Sequence, residues 1–482
     1  MTKLSSLEPK ILWSHFEDLL KVPRPSQHEE KVIAHLKKWA DACKFQYEMD
    51  AVGNLIVRVP ATKGHEKAKP VILQSHVDIV AEKDKAHEFD FLKDPIAAKI
   101  DGDWVVAERT TLGADNGIGV VTAMASADDP SVVHGPLELL FTIDEETALT
   151  GASGLDGKLL KGRTLLNLDS EEDGTVFVGC AGGCNTDTSF TLERAPLPSG
   201  FAMARIEVGG LKGGHSGLLI HENRGNSIKV LVRVLKALEK HGVVLCSIEG
   251  GNKHNAIPRE ASAVVGIPSK DLGAAQELAA SVFRMELTER GTIDPDLKIT
   301  VAKVQDAAPA ASAACTRRLV DLLLCLPNGV ITMSRDIPGL VETSTNLGVV
   351  KTVGDKVQII DCSRSSVAPA LRGLLDRIAT LVRLAGGTSD EVGGYPGWQP
   401  DMKSALLSAA KTTYSKLRGK EPHVTAIHAG LECGIIGEKL GGADMISYGP
   451  ELYGVHAPGE KVKISTVSRF WEFHKALLAA LA

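Results

Sequence analysis

His76 and Asp78 form an H-x-D pair, followed by Asp115, the doublet Glu145-Glu146, Asp169 and a distant His456. Imidazole and carboxylate donors with no thiolate among them suit Zn²⁺, Mn²⁺ or Co²⁺. A glutamate doublet can divide its labour, one side chain binding metal while its neighbour stays free to take a proton from bound water. The set is large enough for two divalent ions and one general base. Two Zn²⁺ bring +4, Asp115, Glu146 and Asp169 bring −3, and a bridging hydroxide beside two neutral histidines leaves the site neutral.

The elements that must position these groups are legible as short apolar runs. Val71-Ile72-Leu73 precedes His76, Leu139-Leu140-Phe141 precedes Glu145, and Leu165-Leu166 precedes Asp169. Such runs read as buried strands, and functional groups of α/β sheets collect beyond the carboxyl ends of parallel strands. Residues two apart share a strand face, so His76 and Asp78 can meet one site, with Asp78 orienting the imidazole. Glu145 and Glu146 are adjacent, so both reach one site only if the backbone turns there. Asp115 lies in Gly113-Ala114-Asp115-Asn116-Gly117-Ile118-Gly119, a glycine-rich loop opening into an apolar helix. Each motif alone also fits something plainer: a surface His beside an Asp, an Asp-Asn-Gly turn, a solvated acidic loop.

Composition sets bounds. The chain of 482 residues exceeds one small core, so a multidomain protein is expected. Hydrophobic residues at 44% and charged residues at 24% describe an ordinary globular protein rather than a disordered or membrane one. A net charge of −6 with no basic block argues against a nucleic-acid partner. With no apolar run of signal-peptide or membrane-spanning length, a cytoplasmic location and no membrane partner are expected. Eight scattered cysteines without C-x-x-C spacing suggest buried thiols rather than a disulfide framework.

Helical spacing over 8–20 and 27–44 flanks the Pro23-Arg24-Pro25-Ser26 breaker, and 54–59 reads as a strand. Alternation of strands with glycine-rich loops up to Gly183 predicts an α/β unit with a mainly parallel sheet flanked by helices. After Cys184 the texture changes to alternating polar strands (204–208, 243–249, 257–266, 297–304, 340–350, 355–362) and amphipathic helices (226–241, 270–288, 316–326, 367–385). That order predicts an inserted α+β unit with an antiparallel sheet. The glycines at 386–387 and 393–394 read as the return, and a helix near 400–418 and a strand at 445–447 restore the first texture. Residues 1–183 and 386–482 are therefore expected to form one discontinuous domain and 184–385 the insert.

Together, Gln74-Ser75-His76-Val77-Asp78, Gly113-Ala114-Asp115-Asn116-Gly117, Asp144-Glu145-Glu146-Thr147-Ala148, Asn167-Leu168-Asp169-Ser170-Glu171-Glu172 and the late His456 resemble the M20 metallopeptidase family. Within it they look like the aminoacyl-histidine dipeptidase branch, and the resemblance covers nearly the whole chain. It implies a zinc-peptidase-like catalytic domain holding two Zn²⁺, with Mn²⁺ or Co²⁺ as substitutes, and an inserted lid. His76 and Asp169 would complete one metal site, Glu146 and His456 the other, with Asp115 bridging and a cis peptide between Asp115 and Asn116. Glu145 would be general base and acid, and Asp78 would orient His76.

In the insert, Gly213-Gly214-His215-Ser216-Gly217 is similar to the family's lid histidine motif, implying that His215 stabilises the oxyanion. Asn255 and Arg364 match substrate-holding positions, and an Arg fork suits a free carboxylate. His428-Ala429-Gly430-Leu431-Glu432 resembles a substrate loop in which Gly430 lets the peptide approach and Glu432 meets its amine; a helix N-terminal turn fits these residues equally. The implied reaction is hydrolysis of unblocked Xaa-His dipeptides, β-alanyl-histidine (carnosine) included, by a metal-bridging water, with a homodimer as the preferred assembly. Two alternatives stay open: another M20 activity, an N-acyl amino acid deacylase or carboxypeptidase, and a non-catalytic peptide-binding or scaffold protein on the same fold.

Overall fold

The three apolar runs become strands buried at nearly every position, Val71–His76, Leu137–Thr142 and Thr164–Asn167. A run that is apolar on both faces can be accommodated only where helices cover both sides of a sheet. In the computed structural model, which describes residues 3–305 and 309–482, these strands are neighbours in an eight-stranded sheet. Leu137–Thr142, Val71–His76, Thr164–Asn167 and Asp444–Ser447 run parallel in that spatial order. Antiparallel strands flank them: Leu55–Val59 and Gln46–Met49 on one side, Thr175–Cys180 on the other. The sheet is thus mixed, parallel at its centre where the motif residues lie.

Two compact units are present. The first takes the chain up to Cys180 together with Trp398–Ala426 and Leu431–Ala482; the second is Ala181–Gly397 with Ile427–Gly430. Helices of the first unit include Lys10–Leu19, Glu30–Cys43, Ala114–Asp128, Ala405–Arg418 and Ile464–Leu481. Lys10–Leu19 shows why such segments fold: Leu12, Trp13, Phe16 and Leu19 recur at helical spacing and are all buried.

The second unit is an antiparallel sheet of nine strands with helices over one face. Along Phe201–Gly209, Ala204, Ile206 and Val208 point into the core while Glu207 is exposed, the period-two pattern of a sheet with one covered face. Ser227–Leu238, Leu272–Arg290, Ala313–Cys325 and Ala368–Ala385 supply the other half of that core. Thr388–Tyr395, read from its glycines as part of the return segment, is instead a strand of this sheet, paired with Gly182–Thr191. Six of the eight cysteines are buried, Cys43 is half-buried, Cys325 is exposed, and none of them forms a disulfide. Among the described residues no helix is long and apolar enough to cross a membrane.

Candidate metal centre

At the carboxyl end of Val71–His76, His76 is the last strand residue and Asp78 follows on the same side. His76 Nε2 lies 3.1 Å from Asp115 Oδ1 and 3.3 Å from Asp169 Oδ1. His456 Nε2 lies 3.1 Å from Asp115 Oδ2 and 2.9 Å from Glu146 Oε2. Each Asp115 oxygen therefore faces a different imidazole, and two donor clusters share that one carboxylate: His76, Asp115 and Asp169, then Asp115, Glu146 and His456. These are the ligands inferred from the motifs, and no thiol enters either cluster.

The backbone explains how the ligands converge. The peptide between Asp115 and Asn116 is cis, as the family resemblance implies. Beside it the Asn116 side-chain amide donates to Leu168 O at 2.9 Å and to Asp169 Oδ1. At the Glu145-Glu146 doublet the strand stops at Thr142 and Asp144 takes a left-handed conformation, φ 50°, before a short helix over Glu145–Ala148. This is the turn that adjacent side chains need in order to share a site.

Asp78 does more than face His76. It is fully buried, with Oδ1 3.4 Å from His76 Nδ1, and it accepts from Glu145 N at 3.1 Å, Glu146 N at 3.2 Å and the Ser26 hydroxyl at 2.7 Å. Burial pushes its pKa upward, but His76, Ser26 and the Glu145 N–H outweigh it and hold the carboxyl at about 2. One carboxylate thus lies against the His76 ring and fixes the glutamate turn.

Two supports were not legible as functional in the sequence. Arg24, read only as part of a breaker, is 1% exposed and donates to Val77 O at 2.9 Å and Gly113 O at 2.6 Å. It explains the glycines around Asp115: a Cβ on Gly113 or Gly117 would lie 2.7 Å from its guanidinium, and Gly113 also has φ 69°. Glu460 accepts from the N–H groups of Leu112 (2.8 Å), Gly113 (3.0 Å), Ala114 (2.8 Å) and Asp115 (3.4 Å). Its one visible signal is its place four residues after His456, past Pro458-Gly459.

The donor set fits divalent cations. Glu146 Oε1 is buried without a hydrogen-bond partner. Burial, against the pull of His76, together with Asp169, Glu432 and Glu146, holds Glu145 well above its ordinary range. Burial likewise carries Asp169 up to about 6 and Glu171 to about 8, with neighbouring carboxylates adding to it. Burial opposes charge on His76, yet Asp169 and Asp115 raise it strongly, and Asp115 and Glu146 take His456 to about 11. The carboxylates here outnumber Arg24 and the two imidazoles, a charge balance that divalent ions would complete.

Glu432 needs a correction. It is 0% exposed, its Oε2 accepting from Gln74 Nε2 at 2.6 Å and Thr142 Oγ1 at 2.9 Å, so its carboxylate is closed off from a substrate amine. Gly430 is also explained internally, since a Cβ there would lie 2.9 Å from the Tyr395 ring. In the second unit His215 Nδ1 accepts from Gly217 N at 3.2 Å and Leu218 N at 3.1 Å, which leaves the proton of the neutral ring on Nε2. Burial and then Arg364 keep that ring's pKa low. Arg364, 7% exposed, donates to Tyr395 OH at 2.8 Å, and Asn255 O accepts from Ser216 N at 2.9 Å.

Comparison with known proteins identifies the family. Residues 200–285 match the peptidase dimerisation domain of M20 enzymes. The chain is 40% identical over 482 residues to the cytosol non-specific dipeptidase of Escherichia coli (strain K12), covering 99% of both chains. It superposes with a TM-score of 0.95 on the crystal structure of aminoacylhistidine dipeptidase from Vibrio alginolyticus, at 40% identity over 99% of this chain and 98% of that one. An aminopeptidase PepT from Bacillus cereus shares the fold at 17% identity, TM-score 0.57, over 98% of this chain and 99% of that one. This chain belongs to the M20 peptidase family, in its dipeptidase branch, and is a metal-dependent peptide hydrolase.

Proposed function

We propose that the enzyme hydrolyses unblocked Xaa-His dipeptides, β-alanyl-histidine among them, with two Zn²⁺ held by His76, Asp115, Asp169, Glu146 and His456. The observation that carries this reading is the sharing of Asp115 between two donor clusters with Glu145 close by and outside the hydrogen bonds that tie the ligands together. Bound there, the ions supply Lewis acidity toward a carbonyl oxygen and make water acidic enough to attack near neutral pH.

The residues of the chain do the rest. Glu145 takes the proton of the attacking water and delivers it to the departing amine. Asp78 holds the Glu145 backbone in place while it orients His76. His215, with its proton on Nε2, donates to the oxygen on which negative charge develops, and Arg364 pairs with the free terminal carboxylate. Asn255 and Gly430 belong to the substrate side, whereas Glu432 is removed from it by its burial. A cytoplasmic homodimer is the expected form of the enzyme; the dimerisation-domain match and the cytosolic relative support it.

The test is release of free histidine from unblocked Xaa-His dipeptides and from their N-acetyl forms, by zinc-reconstituted protein with a chelated control. Metal-dependent cleavage of the unblocked set alone is expected. Cleavage of the acetylated set would instead mark a deacylase or carboxypeptidase.

A further inference from the structure

Directly under the ligands lies a second layer of buried polar side chains. Gln74 stands two residues before His76 and Asn167 two before Asp169, and residues two apart share a strand face. Thr142 is the register partner of His76 and lies three residues before Glu145. Gln74 and Asn167 are themselves register partners, and Asn167 Nδ2 donates to Gln74 Oε1 at 2.5 Å. The Gln74 amide donates onward to Thr142 Oγ1 at 3.1 Å. The three strands that deliver His76, the Glu145-Glu146 turn and Asp169 therefore each carry one member of this layer.

The layer converges on a single atom. Glu432 opens the helix Glu432–Lys439, and its Oε2 accepts from both Gln74 and Thr142. Gln74 carries the connection to Asn167, so one carboxylate oxygen ties together Val71–His76, Leu137–Thr142 and Thr164–Asn167. Those partners stand 358 and 290 residues away along the chain, which makes Glu432 a long-range tie and not part of a local turn. Groups behind metal ligands are the ones that fix ligand geometry.

We propose that Glu432 is a positioning residue for metal binding: its Oε2 holds the ends of the three strands at the spacing that lets His76, Asp169 and the Glu145-Glu146 turn meet one metal centre. This rests on the metal assignment above but not on the identity of the substrate.

The test compares Glu432→Ala, Glu432→Gln and Thr142→Val in the full-length protein, with folding checked by circular dichroism. Zn²⁺ affinity is read by chelator competition on the apoprotein, then kcat and KM on a dipeptide. Glu432→Ala is expected to bind Zn²⁺ about 10-fold more weakly or worse, in the range of groups behind metal ligands, and to lose kcat with KM little changed. Glu432→Gln keeps an oxygen for Gln74 and Thr142 and should restore affinity to within about 3-fold of wild type, a rescue by the conserved acceptor. A folded Glu432→Ala protein with native Zn²⁺ affinity overturns the proposal. So does a raised KM at unchanged kcat, which would return Glu432 to the substrate. If Glu432→Ala does not fold, Thr142→Val decides: it removes one donor at nearly constant shape, weaker Zn²⁺ binding is expected, and native affinity refutes the tie. The Zn²⁺ titration needs no turnover, so a wrong substrate assignment would leave this result readable.

Discussion

Glu460→Gln is the substitution whose effect follows most directly from the geometry. The carboxylate spreads its two oxygens over four backbone donors: Oε2 takes Leu112 N and Gly113 N, Oε1 takes Ala114 N and Asp115 N. An amide at that position keeps one oxygen and turns the other toward two N–H groups with an NH₂ of its own. Two buried donors lose their acceptor, at about 1–3 kcal/mol each, so the loop should be destabilised by about 2–6 kcal/mol. The lost charge is also the first that offsets the burial of Arg24, whose pKa burial lowers to about 10. The damage falls on the segment that carries Asp115. Hydrogen exchange of the peptide spanning 112–115 reads it without assuming two-state unfolding of a two-unit chain. A loss of about 2 kcal/mol corresponds to roughly 30-fold faster exchange where local opening dominates, since about 1.4 kcal/mol is a factor of ten. Zn²⁺ binding should weaken in parallel. Exchange within about twofold of wild type together with unchanged Zn²⁺ affinity would show that the four hydrogen bonds do not hold the loop, and the reasoning would fail.

Asp115→Ala takes one donor from each cluster, so the purified protein is expected to carry well under the wild-type metal content by elemental analysis. Glu145→Ala leaves both clusters intact; it should retain metal while kcat falls by about 10²–10⁴, and normal turnover would remove Glu145 from its role. Away from the centre, Asp361 is fully buried with neither oxygen hydrogen-bonded, and burial raises it to about 7 against the pull of Lys229. A folded pKa above the unfolded value of about 3.9 means stability that is complete at low pH and lost as pH rises through 7. Between pH 5 and 8 the melting temperature of wild type should therefore fall relative to Asp361→Asn, and parallel pH curves for the two proteins would refute this.

His76, Glu146 and Asp169 were readable as candidates because each sits in a local pattern, an apolar run, then a donor, then a turn, whereas Asp115 showed only its glycine-rich loop and His456 entered through the family resemblance. The helices and central strands of the second unit were readable because a covered face imposes periodicity, as along 204–208. Thr388–Tyr395 escaped because it pairs with a single neighbour at the sheet's edge and exposes most of its residues, including Asp390, Glu391 and two glycines, so no alternation marks it. Glu432 escaped for another reason. A glutamate in Gly430-Leu431-Glu432-Cys433-Gly434 offers nothing local to say that it is enclosed, because the groups that enclose it come from strands near the other end of the chain. Arg24 is the same case, its acceptors 53 and 89 residues away. Motifs disclose the groups that touch the reacting atoms; the groups that hold them in place are disclosed only by the fold.

The supports of this centre also share an electrostatic design. Asp78, Glu432 and Glu460 are buried acids that accept hydrogen bonds from neutral donors: a hydroxyl and two N–H groups, an amide and a hydroxyl to one oxygen, and four N–H groups. The one guanidinium nearby is spent on the carbonyls of Val77 and Gly113, not on a carboxylate. Pairing these acids with lysines or arginines would stabilise them too, but each added cation would cancel the negative field that draws a divalent ion. Dipoles orient without neutralising. The arrangement therefore holds the donor groups without adding a lysine or arginine to them, which leaves the positive charge for a divalent ion to supply.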